Sequence, residues 1–211
     1  MAKTLIDLYF GELEKIIPYP VEVIVTGAAA GAVFGRVRPT MDIDFEIRIT
    51  DEVSDNRELA FEIKPINQEE REEILSKTLE AISAKLGIDI NYAEDISRWS
   101  MIDYLDYREK AVPYKKIGKI NIKLMSPPYW TIGKISRYLE IDINDLIKVI
   151  KTKDLNPDTL IDLWRRALKK SPLSLKCGEF RDHIKHFVHA YGKKIWGKNF
   201  DAEHMLRKHD L

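Results

Sequence analysis

A chain of 211 residues, 45% of them hydrophobic, is long enough to bury a core and form one domain or a domain with a helical appendage. Its 34 basic and 34 acidic residues cancel, which argues against a protein that coats nucleic acid through overall positive charge. The single cysteine, Cys177, excludes a disulfide framework within the chain, and neither a signal peptide nor a membrane-spanning apolar run is read, so a cytoplasmic protein is expected.

Residues 3 to 17 space Leu5, Ile6, Tyr9, Leu13 and Ile16 as an amphipathic helix, ended by Pro18 and Pro20. Val21 to Val25 is a short β-branched run that reads as a buried strand stopping at Thr26-Gly27. Ala28 to Phe34 is small and helix-prone, and Gly35 to Thr40 reads as a loop. From Met41 to Ile49 apolar and charged residues alternate, so Asp42, Asp44, Glu46 and Arg48 share one face of a strand. Residues 51 to 66 are irregular. Residues 67 to 86 predict a helix closed by Gly87, and Ile88 to Asn91 a strand. Weaker strand patterns cover 110 to 116 and 118 to 125. From Pro127 the chain reads as helical, with breaks near Ile141, Pro157 and Pro172. The expected architecture is α/β of the α+β kind: a mixed sheet flanked by helices over residues 1–126, then a helical region over 127–211.

Chemistry concentrates in Thr26-Gly27-Ala28 and the later run Arg38-Pro39-Thr40-Met41-Asp42-Ile43-Asp44. Two carboxylates on one strand face repel unless a cation or solvent separates them. Hard oxygen donors suit Mg²⁺ or Mn²⁺, which take further ligands from water and substrate phosphates. A glycine between a strand and a helix lets a phosphate approach the free N–H groups of the helix start. Thr40 is placed to orient the first carboxylate through a hydrogen bond.

This pattern resembles the DNA polymerase β-like nucleotidyltransferase superfamily, over roughly the first 150 residues. The likeness is strongest to small stand-alone members with an Arg-x-Thr-x-Asp-x-Asp run, here Arg38, Thr40, Asp42 and Asp44; some of these belong to toxin–antitoxin systems. The resemblance implies a nucleotidyltransferase-like fold and transfer of a nucleoside monophosphate from a nucleoside triphosphate to an acceptor, RNA or protein. It implies metal binding by Asp42, Asp44 and a third acid. Asp89 is the expected third acid, with Asp95 an outside candidate; Asn121 stands on the other strand where an acid would be sought. Nucleotide contacts are expected from Gly27, Ala28, Arg38, Thr40, and from Lys134 and Arg137, which form a Lys-x-x-Arg element followed by Asp142 and Asp145. Ala28 stands where the family pattern has Gly or Ser, keeping the backbone N–H without a hydroxyl. The alternative expectation is a non-catalytic relative, an antitoxin or interaction module that keeps the fold and works with a partner protein or as a homo-oligomer.

Other features read more plainly. His183, His186 and His189 recur every third residue near Cys177, a spacing that suits an amphipathic interface helix better than zinc. Residues 165 to 198 are rich in Lys and Arg, with only Glu179 and Asp182 as acids, which reads as a solvated face or an RNA contact. The tryptophans Trp99, Trp130, Trp164 and Trp196 are expected to pack in the core or between elements.

Overall fold

A computed structural model describes residues 4–35, 40–50 and 68–211. The irregular stretch expected at 51 to 66 lies outside them. Helix α1 (Leu5–Glu14) starts at a capping box: the Thr4 hydroxyl accepts from the Asp7 N–H, and the Asp7 carboxylate accepts from the Thr4 N–H. Strand β1 (Val21–Thr26) follows, then α2 (Gly27–Gly35), β2 (Asp42–Ile49), α3 (Gln68–Leu86) and β3 (Asp89–Ala93). A single 3-10 turn (Ile96–Trp99) precedes the hairpin of β4 (Val112–Ile117) and β5 (Ile120–Leu124).

Among the described residues the strands form one five-stranded mixed sheet in the order β3-β2-β1-β5-β4. β1 is central, antiparallel to β2 and parallel to β5, while β3 lies parallel to β2. The fold is therefore mixed α/β, as the patterning implies. Alternation along β2 sends Ile43, Phe45 and Ile47 into the core, where Phe10 of α1 meets Phe45 edge-on at 5.3 Å between ring centroids. The Tyr9 hydroxyl donates to the Leu79 carbonyl at 2.8 Å, joining α1 to α3. Each fully buried side chain of this size contributes about 1.5–3 kcal/mol.

The helices α4 (Pro127–Arg137), α5 (Glu140–Thr152), α6 (Pro157–Lys170), α7 (Leu175–Trp196) and α8 (Ala202–Lys208) complete the chain. The first break falls at Tyr138, in the left-handed region at φ 54°, three residues before the expected Ile141. A further break, absent from the sequence reading, comes at Gly197 with φ 106°. Trp130 on α4 carries the helical region onto the front of the chain. Its indole N–H donates to the Gly27 carbonyl at 2.7 Å, and Phe34 of α2 packs on it edge-on. Gly31 is needed there, since a Cβ would lie 2.9 Å from the Trp130 ring. One buried apolar cluster runs from the strands through Trp130, Ile132, Trp164 and Phe187. Among the described residues no helix is long and apolar enough to cross a membrane.

Candidate functional site

The β1–α2 junction sets the geometry. Gly27 has φ +60°, a conformation L side chains rarely adopt, and a Cβ there would lie 1.7 Å from the Asp44 Oδ2. Glycine is thus required twice, by backbone conformation and by the approach of a carboxylate. Ala28 does not have a positive φ; it is an ordinary buried residue inside α2, so the backbone needs only the first small residue of the pair. The first N–H groups of a helix lack partners within it and attract anions.

Asp42, Asp44 and Glu46 lie at alternate positions of β2, on the side opposite Ile43 and Phe45. Thr40 donates its hydroxyl to the Asp42 carboxylate and accepts from the Asp42 N–H at 3.3 Å. Burial pushes the Asp44 carboxyl above its ordinary range. The Asn91 hydrogen bond opposes that rise, the charge of Asp42 adds to it, and Arg137 and Lys134 oppose it. Glu46 is fully buried and does something else: Arg108 reaches it at 2.7 Å, Arg48 at 3.3 Å, Tyr107 donates its hydroxyl to it, and the Ile96 N–H donates at 3.2 Å. It anchors the 3-10 turn to the sheet.

A cavity of about 400 Å³ opens beside this strand, lined by Gly27, Asp44, Lys134 and Arg137 together with Trp99 and Tyr104. Four of the residues read from sequence as site residues therefore share one cavity. Burial pushes the Tyr104 hydroxyl up to about 12, so it is a neutral hydrogen-bonding group there at pH 7. Lys134 is 4% exposed, and its ammonium donates to Asp142 at 2.7 Å and Asp145 at 3.0 Å, with the Trp130 ring 5.2 Å away. Two of its three donors are thus engaged by protein carboxylates. Arg137 grips Asp142 with two hydrogen bonds of 2.6 Å yet keeps its side chain 55% exposed.

The expected trio of acids is not gathered. The parallel register of β2 and β3 pairs Asp42 with Asp89 and Asp44 with Asn91. Asp89 is exposed and lines a separate, more open groove with Asp42 and Glu80, while Asp44 lines the cavity with Gly27. The neighbour of Asp44 is the amide of Asn91, which donates to its Oδ1 at 2.9 Å. Asn121 pairs with Glu22, which also faces Arg48, so it lies at the other end of the sheet from Asp44. Asp95 is taken up in capping the 3-10 turn, accepting from the Ser97 N–H at 2.9 Å and lying 3.3 Å from Arg108. Among the described residues no group of three or more His, Cys, Asp or Glu side chains could hold a metal ion. Arg38 lies outside the described residues. Sequence reasoning missed Asn91, Tyr104 and the exposed ring of Trp99; none of them stands out until strand register and the path of residues 95 to 104 are known.

No protein-family model matches the chain, no curated protein matches its sequence, and no solved structure matches it.

Proposed function

We propose that this chain is a metal-dependent nucleotidyltransferase that takes a nucleoside triphosphate into the cavity between β2 and α4. One observation carries the reading: a glycine at the start of a helix, a carboxylate that touches it, and an exposed guanidinium all line the same cavity. The N–H groups that open α2 attract a phosphate, and the missing side chain of Gly27 lets Asp44 come up against that helix start. Arg137 adds a fixed positive charge with planar donors suited to phosphate oxygens. Tyr104 supplies a neutral hydroxyl. Asp44 in the cavity and Asp42, two residues earlier on the same strand face and lining the groove beside Asp89, offer two hard oxygen donors; a divalent ion held by both would complete its coordination with water and phosphate oxygens. A Mg²⁺ or Mn²⁺ held by this pair would offset phosphate charge and assist attack at the α-phosphate. Lys134, engaged by two carboxylates, holds α4 against α5 and places Arg137 at the cavity.

Isothermal titration of Mg²⁺ with each of the four nucleoside triphosphates tests the reading. Wild type is expected to bind at least one of them, and Asp42→Asn with Asp44→Asn to lose that binding. Absence of binding by wild type, or equal binding by the double variant, would refute it.

A second reading is a nucleotide-binding module without transfer activity. Asn91 favours it, because the residue beside Asp44 is an amide, a poor ligand for a second divalent ion. Incorporation of labelled nucleotide into RNA or protein acceptors, abolished by Asp44→Asn, would eliminate this second reading.

A further inference from the structure

We infer that Trp99 is the platform on which the base of the nucleotide stacks, and that the cavity is therefore a nucleotide site rather than a general polyphosphate site. The inference rests on the proposed nucleotide-binding function. It begins from an oddity of burial. Trp130 and Trp164 are buried, whereas Trp99 leaves 43% of its surface exposed, next to Met101 at 52%. Both line the same cavity as Gly27, Asp44 and Arg137. The lining thus combines charged groups with an aromatic ring and a thioether. A nucleoside triphosphate combines the matching parts, a charged tail and a flat apolar face. The volume of about 400 Å³ falls in the range of small-molecule sites.

Trp99 is held in place rather than loosely presented. It ends the 3-10 turn whose first residue, Ile96, is buried and donates its N–H to the buried Glu46. Asp95 caps that turn by accepting from both the N–H and the hydroxyl of Ser97. The next residue, Ser100, approaches the Ser136 hydroxyl of α4 at 3.3 Å and accepts from the Ile102 N–H at 3.0 Å. A ring carried on a backbone anchored at both sides stacks a base at lower entropic cost than one on a mobile loop. Stacking tolerates any base, because each has a π-face, so this platform favours nucleotides without selecting strongly among them.

The test compares wild type, W99A, W99F and D44N as full chains. Each is titrated with Mg²⁺-ATP, Mg²⁺-GTP and Mg²⁺-tripolyphosphate, with circular dichroism to check that folding is unchanged. W99A is expected to weaken nucleoside triphosphate binding by about 5- to 100-fold while leaving tripolyphosphate affinity as it is. W99F keeps a ring and is expected to retain most of the affinity. W99A that binds ATP and GTP as tightly as wild type overturns the platform alone, provided D44N still abolishes binding. Equal losses for tripolyphosphate and nucleotides in W99A also overturn it, since the ring would then shape the cavity rather than meet a base. If wild type binds none of the three probes, the platform and the nucleotide reading fall together.

Discussion

Asn91 donates its side-chain N–H to the Asp44 carboxylate across 2.9 Å, from the register position directly beside it on the neighbouring parallel strand. The amide makes a hydrogen bond where a carboxylate would repel. It lets Asp44 sit in a partly buried place without a third negative charge. Asn91→Asp should reverse this balance. A third carboxylate beside Asp44 is expected to tighten Mg²⁺ or Mn²⁺ binding on the order of tenfold, because ligand charge sets affinity for hard cations. In chelator the same variant is expected to be less stable than wild type, and added cation should restore it. Thermal unfolding with and without Mg²⁺ measures both effects. A variant whose melting temperature responds to the cation as wild type does would show that position 91 lies outside any cation site.

Gly27 serves the same carboxylate from the other side. Alanine at this position would adopt a left-handed conformation at a cost of about 1–2 kcal/mol. Its Cβ would also collide with the Asp44 carboxylate and displace it from Asn91 and from its place in the cavity. Gly27→Ala is therefore expected to lose ligand binding more completely than it loses stability. A double-mutant cycle separates the two effects. In an Asp44→Ala background the collision with the carboxylate disappears, leaving the backbone cost and a tight approach to the Cβ of residue 44, so the stability loss from Gly27→Ala should be smaller there. Equal losses in both backgrounds would mean that the close approach of these residues has no energetic consequence.

Much of this arrangement was legible before any coordinates, because it depends on local periods. The alternation of Asp42 to Ile49 has a period of two, which fixes the face of each residue once a strand forms. Gly27 was legible as punctuation between a β-branched run and a small-residue helix. Asn91 was not, because its place beside Asp44 follows from which strand β2 pairs with and in what register. Asp89, between two isoleucines, reads as the strand acid, yet the register sets it beside Asp42, two positions from the partner of Asp44. Lys134 and Arg137 were legible as cations on one helical face. The sequence alone did not reveal that Asp142 and Asp145 fold back onto Lys134, since that contact needs the turn at Tyr138. Trp99 followed the rule that tryptophans pack inside only in part, because its exposure depends on the turn that Glu46 anchors.

That ion cluster predicts different fates for its two cations. Lys134→Met leaves Asp142 and Asp145 buried with one partner fewer, and removing one member of a buried ion pair costs about 3–5 kcal/mol. Arg137→Ala removes a guanidinium that is more than half exposed, and a stability loss of about 1 kcal/mol is expected. Triphosphate binding should show the reverse order per unit of stability lost, with Arg137→Ala folded but weak in binding. Chemical denaturation and calorimetry on the two variants check this. A stable Lys134→Met variant that fails to bind would instead give the lysine the phosphate contact and return Arg137 to a surface role.

Asp142 extends the argument to pH. Burial alone would raise its carboxyl, but the hydrogen bonds from Arg137 and Lys134 outweigh that and hold it below the ordinary carboxylate range. A depressed pKa in the folded state means that the unfolded chain binds the proton more tightly. The stabilisation is then fully present above the unfolded value near 3.8 and is lost as pH falls through the lower, folded value. Wild type is therefore expected to lose stability as the medium is acidified below about pH 4, with part of that slope belonging to Asp142. Asp142→Asn removes the titrating group and leaves Lys134 with Asp145 and Arg137 with the charges of Asp44 and Asp42. It should be less stable than wild type by about 3 kcal/mol at neutral pH and show a shallower decline in acid. Urea unfolding at a series of pH values between neutrality and about pH 3 compares the two slopes. Parallel curves would mean that Asp142 titrates alike in the folded and unfolded chain, and that the cluster joining α4 to α5 does not hold its charge.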